Sequence, residues 1–477
     1  MLREWKNYIG GEWCDAENRA TIPVENPATG QVFATIAAAG ASDVDRAVQA
    51  ARNAVKSRAL YEMKPYDRAA LLFRIAAALR EMVDEAAPVN IYESGKNKSF
   101  ATDEIEDAAR YFEYYGGLAG KLHGRSIPLG DGYLDYTQLV PYGVCAQIVP
   151  WNFPLELAAR DCAPALACGN AVVLKSPELA PLTLCYLAKA CEKAGLPAGY
   201  FNLICGYGNE AGEGLTSHPD IDHITFTGSV ATGRRILYKA ADLIIPSVIE
   251  LGGKSAGIVY ADADLDQVAH SASIGIFAHG GQICCAGSRL IAHNSVRDQL
   301  IERISHWIDQ RTMGPGEDDH FFTPLISGNQ RDKVEKYCQV AVQTGAEAVV
   351  GGRRPDDMEG FYFKPTILTN VNSGMQIDKE EVFGPVLTLS GFDEPEEALA
   401  LANETEYGLA AGVYTQSLKR AHWTADRLEA GSVYINQWFA GGNEVPFGGF
   451  KRSGFGRVKG FEGLSNYYQV RNVATRL

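Results

Sequence analysis

Nothing in the chain approaches the roughly 20 consecutive apolar residues that a membrane-spanning helix needs, and there is no run of lysine or arginine. The first absence argues against a membrane protein. The second, with 44 basic against 58 acidic residues and a net charge of −14, argues against nucleic acid as a partner. The opening stretch MLREWKNYIGGEW lacks an apolar core of the signal-peptide kind, so secretion is not expected and a cytoplasmic location is. The ten cysteines of the 477 residues show no CxxC pair and no Cys/His metal spacing. They read as reduced thiols, and no metal is expected. Low-complexity linkers and short-period repeats are missing too, as is the GxGxxG fingerprint of the standard dinucleotide-binding turn.

What is present is the composition of a globular protein, 46% hydrophobic and 21% charged, in a chain long enough for two or three domains. Helices are expected from Ser42 (with Ser42 as N-cap), from about Pro65, and from Ala101 to Leu118. Residues 121–145 alternate apolar and polar around Pro128–Gly132 and read as an extended hairpin. From Val144 to Glu250 strand and helix alternate: strands at Val144–Val149, Ala171–Leu174, Phe201–Cys205, Ile224–Thr227 and Pro246–Glu250, with helices between. Ile258–Tyr260, Leu290–Ala292, Ala348–Val350, Val386–Thr388 and Gly412–Tyr414 continue the theme. Such alternation predicts an α/β fold of two doubly wound parallel sheets, whose ligands sit at the carboxyl ends of the strands.

The segment GGQICCAG, 280–287, stands out chemically. It sets Cys284 and Cys285 among small residues, where backbone can approach a ligand and a thiol can act as a nucleophile if its thiolate is favoured. The segment FTGSVATG, 226–233, places Gly228-Ser229 between a strand and a helix, which offers free N–H groups to a pyrophosphate. Gly281-Gln282-Ile283-Cys284 resembles the active-site cysteine motif of the aldehyde dehydrogenase superfamily. ELGGKSA at 250–256, PWNFP at 150–154, EEVFGPV at 380–386 and PFGGFKRSGFGR at 446–457 resemble four further motifs of that family, in its order. The similarity runs from NPATG at 26–30 to the final strand.

The resemblance implies NAD-dependent oxidation of an aldehyde to the acid, through a thiohemiacetal and a thioester on the cysteine. Cys284 would be the nucleophile. Asn152 and the Cys284 N–H would stabilise the oxyanion, and Glu250 would be the general base. The cofactor would be held by Ile148, Pro150, Trp151, Lys175, Glu178, Gly208, Phe226, Gly228, Ser229, Gly233, Leu251, Gln330, Glu381 and Phe383. Glu178, a carboxylate facing ribose hydroxyls, favours NAD over NADP. Residues 1–118 and 141–251 would form the cofactor domain and 252–452 the catalytic domain. Residues 119–140 and 453–477 would form an arm for homo-oligomerisation, as a dimer or a tetramer.

Phe153, Leu157 and Arg160 are spaced i, i+4, i+7 beside Asn152 and, with Trp438 and Phe439, are the expected substrate walls. Arginine at 160 resembles the pattern of semialdehyde dehydrogenases and would bind a substrate carboxylate. Asp161 departs from the family, which usually has lysine there, and Val458 stands where an acid is usual. An anionic semialdehyde and an aromatic or neutral aliphatic aldehyde both stay open. So does a CoA-acylating variant, against which Glu250 counts, because such enzymes typically lack the general-base glutamate.

Overall fold

Two open sheets carry the architecture. The structure is a computed structural model and describes residues 3–477; residues 1 and 2, at the head of the 1–118 segment, lie outside the described residues. The first sheet has eight strands, with a parallel centre ordered Ser247–Glu250, His223–Thr227, Val144–Ile148, Ala171–Ser176, Phe201–Cys205. Every residue of Val144–Ile148, Ala171–Ser176 and Phe201–Cys205 is buried. Helices cover both faces, which is why these strands read as unbroken apolar runs. Asn7–Ile9 and Glu12–Cys14 extend one edge antiparallel, and Gly454–Phe455 extends the other.

The second sheet is ordered Glu347–Val350, Thr366–Thr369, Val386–Phe392, Arg289–His293, Ala256–Val259, Ala410–Tyr414, Ser432–Ile435, parallel except for its first edge strand. Thr366–Thr369 and Ser432–Ile435 escaped the sequence reading. Tyr133–Pro141 and Tyr468–Arg476 pair antiparallel over nine residues as a separate ribbon.

Several expectations need correction. Ser42 does not cap the first helix, Ala41–Ser57. Gly40 stands at the N-cap, and Asp43, in the first turn, accepts its N–H at 3.0 Å. A helix at Val83–Ser94 was missed; it contains Pro88, which in a sequence argues for a break. The expected hairpin over 121–145 keeps one full strand, Tyr133–Pro141, with its other limb reduced to an isolated bridge, Ser126 to Tyr136. Residues 453–467 do not belong with the ribbon. Gly454–Phe455 edges the first sheet, and Leu464 and Tyr467 are buried in that sheet's core.

The register fixes the candidate site. Ile148 lies beside both Lys175 and Phe226, and Thr227 beside Glu250. The carboxyl ends of four neighbouring strands therefore open on one side of the sheet, and the chain leaves each of them into a loop that carries a residue singled out above.

Candidate active site

The helix Leu265–Phe277 ends in a sharp turn in which His279, Gly280 and Gly281 all take positive φ, +48°, +61° and +70°. At Gly281 a Cβ would run into the Gly384 carbonyl, so this turn requires glycine. The chain then reaches Gln282, whose side chain is fully buried and bonded at both ends. Its Oε1 accepts from the Ile326 N–H at 2.9 Å, and its Nε2 donates to the His279 carbonyl at 3.1 Å. The Gln282 carbonyl accepts from Asn152 Nδ2 at 2.8 Å. Asn152 is thereby tied to the turn two residues ahead of Cys284, and among the described residues neither its second amide hydrogen nor its Oδ1 has a partner. The Cys284 N–H donates to no other group among the described residues.

Cys284 is half-buried and Cys285 buried, in an apolar nest with Ile283, Phe439, Phe447, Tyr434, Leu409 and Ala410. The hydrogen bond between the two thiols, and then burial, push Cys284 well above the ordinary thiol range. The same bond pulls Cys285 down. Glu250 is 2% exposed with neither carboxylate oxygen partnered. Burial lifts its pKa well above the carboxylate range; Arg160 opposes this, and charge on Cys284 would add to it. Glu250 and Cys284 therefore resist being anionic together.

Arg160 was expected to meet a substrate anion. It is 4% exposed, with Nε and Nη2 on the two oxygens of Asp161 at 2.8 and 3.1 Å, and Nη2 also on Thr227 Oγ1 at 2.7 Å. The departure at position 161 supplies the partner. A bidentate carboxylate on the next residue already neutralises the guanidinium.

Trp438 is also corrected. It is 9% exposed and donates from its indole N–H to the Cys285 carbonyl at 3.0 Å. Its ring fills a slot left by glycines: a Cβ at Gly275 or Gly287 would stand 2.9 or 3.0 Å from it, and one at Gly412 would collide. Trp438 holds the cysteine turn from behind. Trp438→Phe keeps an aromatic ring in the slot, a smaller one than the indole, and deletes the donor. We expect it to fold and to speed iodoacetamide alkylation of Cys284 several-fold, because the freed turn exposes the thiol; an unchanged rate would mean that the bond does not restrain the turn.

Phe439 packs against the two cysteines. Phe153 lies between the Lys96 ammonium, 4.3 Å from its ring centre, and the His279 ring at 5.3 Å. Leu157 packs on the first sheet's core. Ile283 and Phe447, missed in the sequence, were findable as apolar residues inside two of the motifs.

A second cleft, of about 300 Å³, opens at the strand ends. Ile148, Lys175, Glu178, Gly208 and Phe226 line it, together with Tyr207, Thr232, Arg235, Ile236 and Lys239. Lys175 and Glu178 pair at 3.0 Å. Arg235 and Lys239 are one helical turn apart in Val230–Leu243 and both reach Glu213, at 3.0 and 3.4 Å. Their i, i+4 spacing was visible in the sequence, but their partner was not. Ser229 caps that helix through the Thr232 N–H. Gly228 lies on the Phe226 ring, and Gly233 on Leu251.

Half-buried Pro150 and Trp151 follow the strand that ends at Ile148, and Trp151 meets Phe383 edge-on at 5.3 Å. Glu381 accepts from the Gly253 N–H at 3.1 Å, with its pKa raised to about 7 by burial. Gln330 does not present its amide to this cleft; Nε2 donates to the Val382 and Phe383 carbonyls and props the Phe383 turn. Among the described residues no group of His, Cys, Asp and Glu could hold a metal ion, and no helix is long and apolar enough to cross a membrane.

Comparison with known proteins matches residues 13–473 to the aldehyde dehydrogenase family. A mitochondrial benzaldehyde dehydrogenase of Antirrhinum majus is 40% identical over 475 residues, 99% of this chain and 89% of that one. A peroxisomal aminoaldehyde dehydrogenase of Malus domestica is 41% identical over 476 residues, 98% and 94%. The NAD+ complex of an aldehyde dehydrogenase from Bacillus cereus superposes with a TM-score of 0.97 at 39% identity, covering 100% of this chain and 97% of that one.

Proposed function

The chain belongs to the aldehyde dehydrogenase family, and from that premise we propose that it oxidises an aldehyde to the carboxylic acid with NAD, using Cys284 as nucleophile, Asn152 as oxyanion donor and Glu250 as base. The observation that carries this reading is the tie between Asn152 and the Gln282 carbonyl. It leaves one amide hydrogen of Asn152 and the N–H of Cys284 unengaged beside the thiol, as an oxyanion formed there requires. The Cys284 thiol gives up its proton to solvent water as sulfur attacks the carbonyl carbon, leaving the oxygen anionic against the two N–H donors. Glu250, a strengthened base in a dry pocket, then draws a proton from the water that hydrolyses the thioester. The nicotinamide supplies the hydride acceptor when bound.

Lys175 and Glu178 would hold the adenosine ribose, and the 300 Å³ cleft between them and the start of Val230–Leu243 suits a nucleotide. Glu178 would disfavour a 2′-phosphate, and Glu213 occupies the two cations beside it. The reading keeps the domain division after Leu251, assigns 453–467 to the cofactor domain, and leaves Tyr133–Pro141 with Tyr468–Arg476 to join copies of the chain. We place the protein in the cytoplasm.

Relatives equally similar to this chain carry names of different substrates, so identity does not choose one. The nest does. Ile283, Phe439 and Phe447 surround the thiol, and Arg160 is neutralised. The substrate is therefore a neutral aldehyde with an apolar body, aromatic or aliphatic. NADH formation should run at least about tenfold more efficiently, in kcat/KM, with benzaldehyde or butyraldehyde than with succinate semialdehyde, a gap of about 1.4 kcal/mol. A preference for the semialdehyde would show that Arg160 leaves Asp161 when substrate binds.

A further inference from the structure

The helix Pro154–Cys168, which follows Asn152, begins without a cap of its own. Phe153 at the N-cap position offers no side-chain acceptor, and Pro154 has no N–H. The next two N–H groups, of Leu155 and Glu156, need partners in a buried setting. Both go to one oxygen of Glu104, at 2.9 and 3.3 Å. Glu104 comes from the long helix Lys98–Leu118, some fifty residues earlier. Its other oxygen takes the Lys96 ammonium and Asn90 Nδ2, the latter at 2.7 Å. Neither Lys96 nor Glu104 exposes any side chain, and Asn90 is itself locked to Ser94 at 3.1 Å. A fully buried ion pair is seldom kept for stability alone, since desolvation offsets most of its attraction. This one has a second task. The carboxylate caps the helix start, and the ammonium lies 4.3 Å from the ring centre of Phe153. Between them they fix the backbone on the C-terminal side of Asn152, while Gln282 fixes its amide from the other side.

We propose that Glu104, locked by Lys96, is a positioning residue that aims the Asn152 amide at the oxyanion. The proposal rests on the reading of Asn152 as oxyanion donor. It requires an acceptor at Glu104 and not a charge. Lys96→Met with Glu104→Gln removes both charges and keeps an amide oxygen for the two N–H groups; Lys96→Met with Glu104→Leu removes the acceptor as well.

The measurement is the rate of the first-turnover NADH burst, with NAD affinity and melting temperature recorded alongside. The glutamine pair should stay within about threefold of wild type, and the leucine pair should fall at least about tenfold, with NAD affinity unchanged in both. In an Asn152→Ala background the difference between the two pairs should vanish, because the group being aimed is gone. A tenfold difference that persists in that background would make Glu104 a structural residue and overturn the proposal, as would equal rates for the two pairs with Asn152 present. Asn152→Ala bursting at the wild-type rate would instead sink the assignment of Asn152, and the proposal with it. If the leucine pair does not fold, Glu104→Asn withdraws the acceptor by one methylene and takes its place in the comparison.

Discussion

Cys284→Ala should form no NADH at any aldehyde concentration while still binding NAD. The nest around the thiol is made by Ile283, Phe439, Phe447 and the buried Cys285, none of which the change removes, so the fold and the cleft at Lys175 stay in place. The loss expected is complete within detection, because no covalent intermediate can form without the sulfur. Cys285 sits one residue away and has the lower pKa of the pair, which makes it the obvious substitute. It is buried, and its carbonyl is bound by Trp438, so its sulfur is not free to swing into the place of its neighbour. Residual turnover in Cys284→Ala that vanishes in the double alanine variant would show that Cys285 can serve, and would move the nucleophile assignment.

Glu250→Gln should give one burst of NADH, of amplitude near the number of sites, and then stall at the thioester. The amide is nearly isosteric, so the oxyanion donors and the thiol are unaffected, but it cannot accept the proton of water. The wild-type steady rate should rise with pH as Glu250 ionises, with an inflection above the ordinary carboxylate range because burial lifts its pKa. The stability consequence has a definite sign. A buried carboxyl with a raised pKa holds its proton more tightly folded than unfolded. Its contribution is therefore whole below the ordinary carboxylate range and is lost as pH rises towards its raised value. Glu250→Gln escapes that loss and should melt higher than wild type at pH 8, with the gap closing by pH 4. Equal melting at both pH values would mean that Glu250 titrates normally, and steady turnover in the variant would mean that another group activates the water.

How far the sequence could be read depended on where each residue's partner lies in the chain. The strands from Val144 to Glu250 were legible because burial on both faces leaves unbroken apolar runs, and five came out within two residues of their observed ends. Cys284, Glu250 and Asn152, the residues proposed for the chemistry, stand out because each sits in a motif that can be recognised without its neighbours. For Arg160 the sequence left two readings open, an anchor for a substrate anion or a cation neutralised by Asp161, and only the side-chain geometry shows the fork to Asp161 closed. Trp438 looked like a pocket wall because aromatic residues near a glycine loop usually are. Its acceptor, the Cys285 carbonyl, is 153 positions away. Glu104 gave no signal at all, one acid in the run Asp103-Glu104-Ile105-Glu106, and its importance lies in two main-chain N–H groups 51 and 52 positions downstream.

The ribbon of Tyr133–Pro141 and Tyr468–Arg476 bears on how the chain is made. Asp135 and Asn472, bonded across it at 3.1 Å, are 337 positions apart. A ribosome that adds residues in order produces the first strand long before the second exists. Through that interval Tyr133–Pro141 is a nine-residue strand without its one full strand partner among the described residues, with Tyr133 and Leu134 half-exposed even in the finished fold. An open strand edge is a template for other chains. The contacts of longest range are also the slowest to close, so the open strand is at risk of aggregation for as long as Tyr468–Arg476 is still to come.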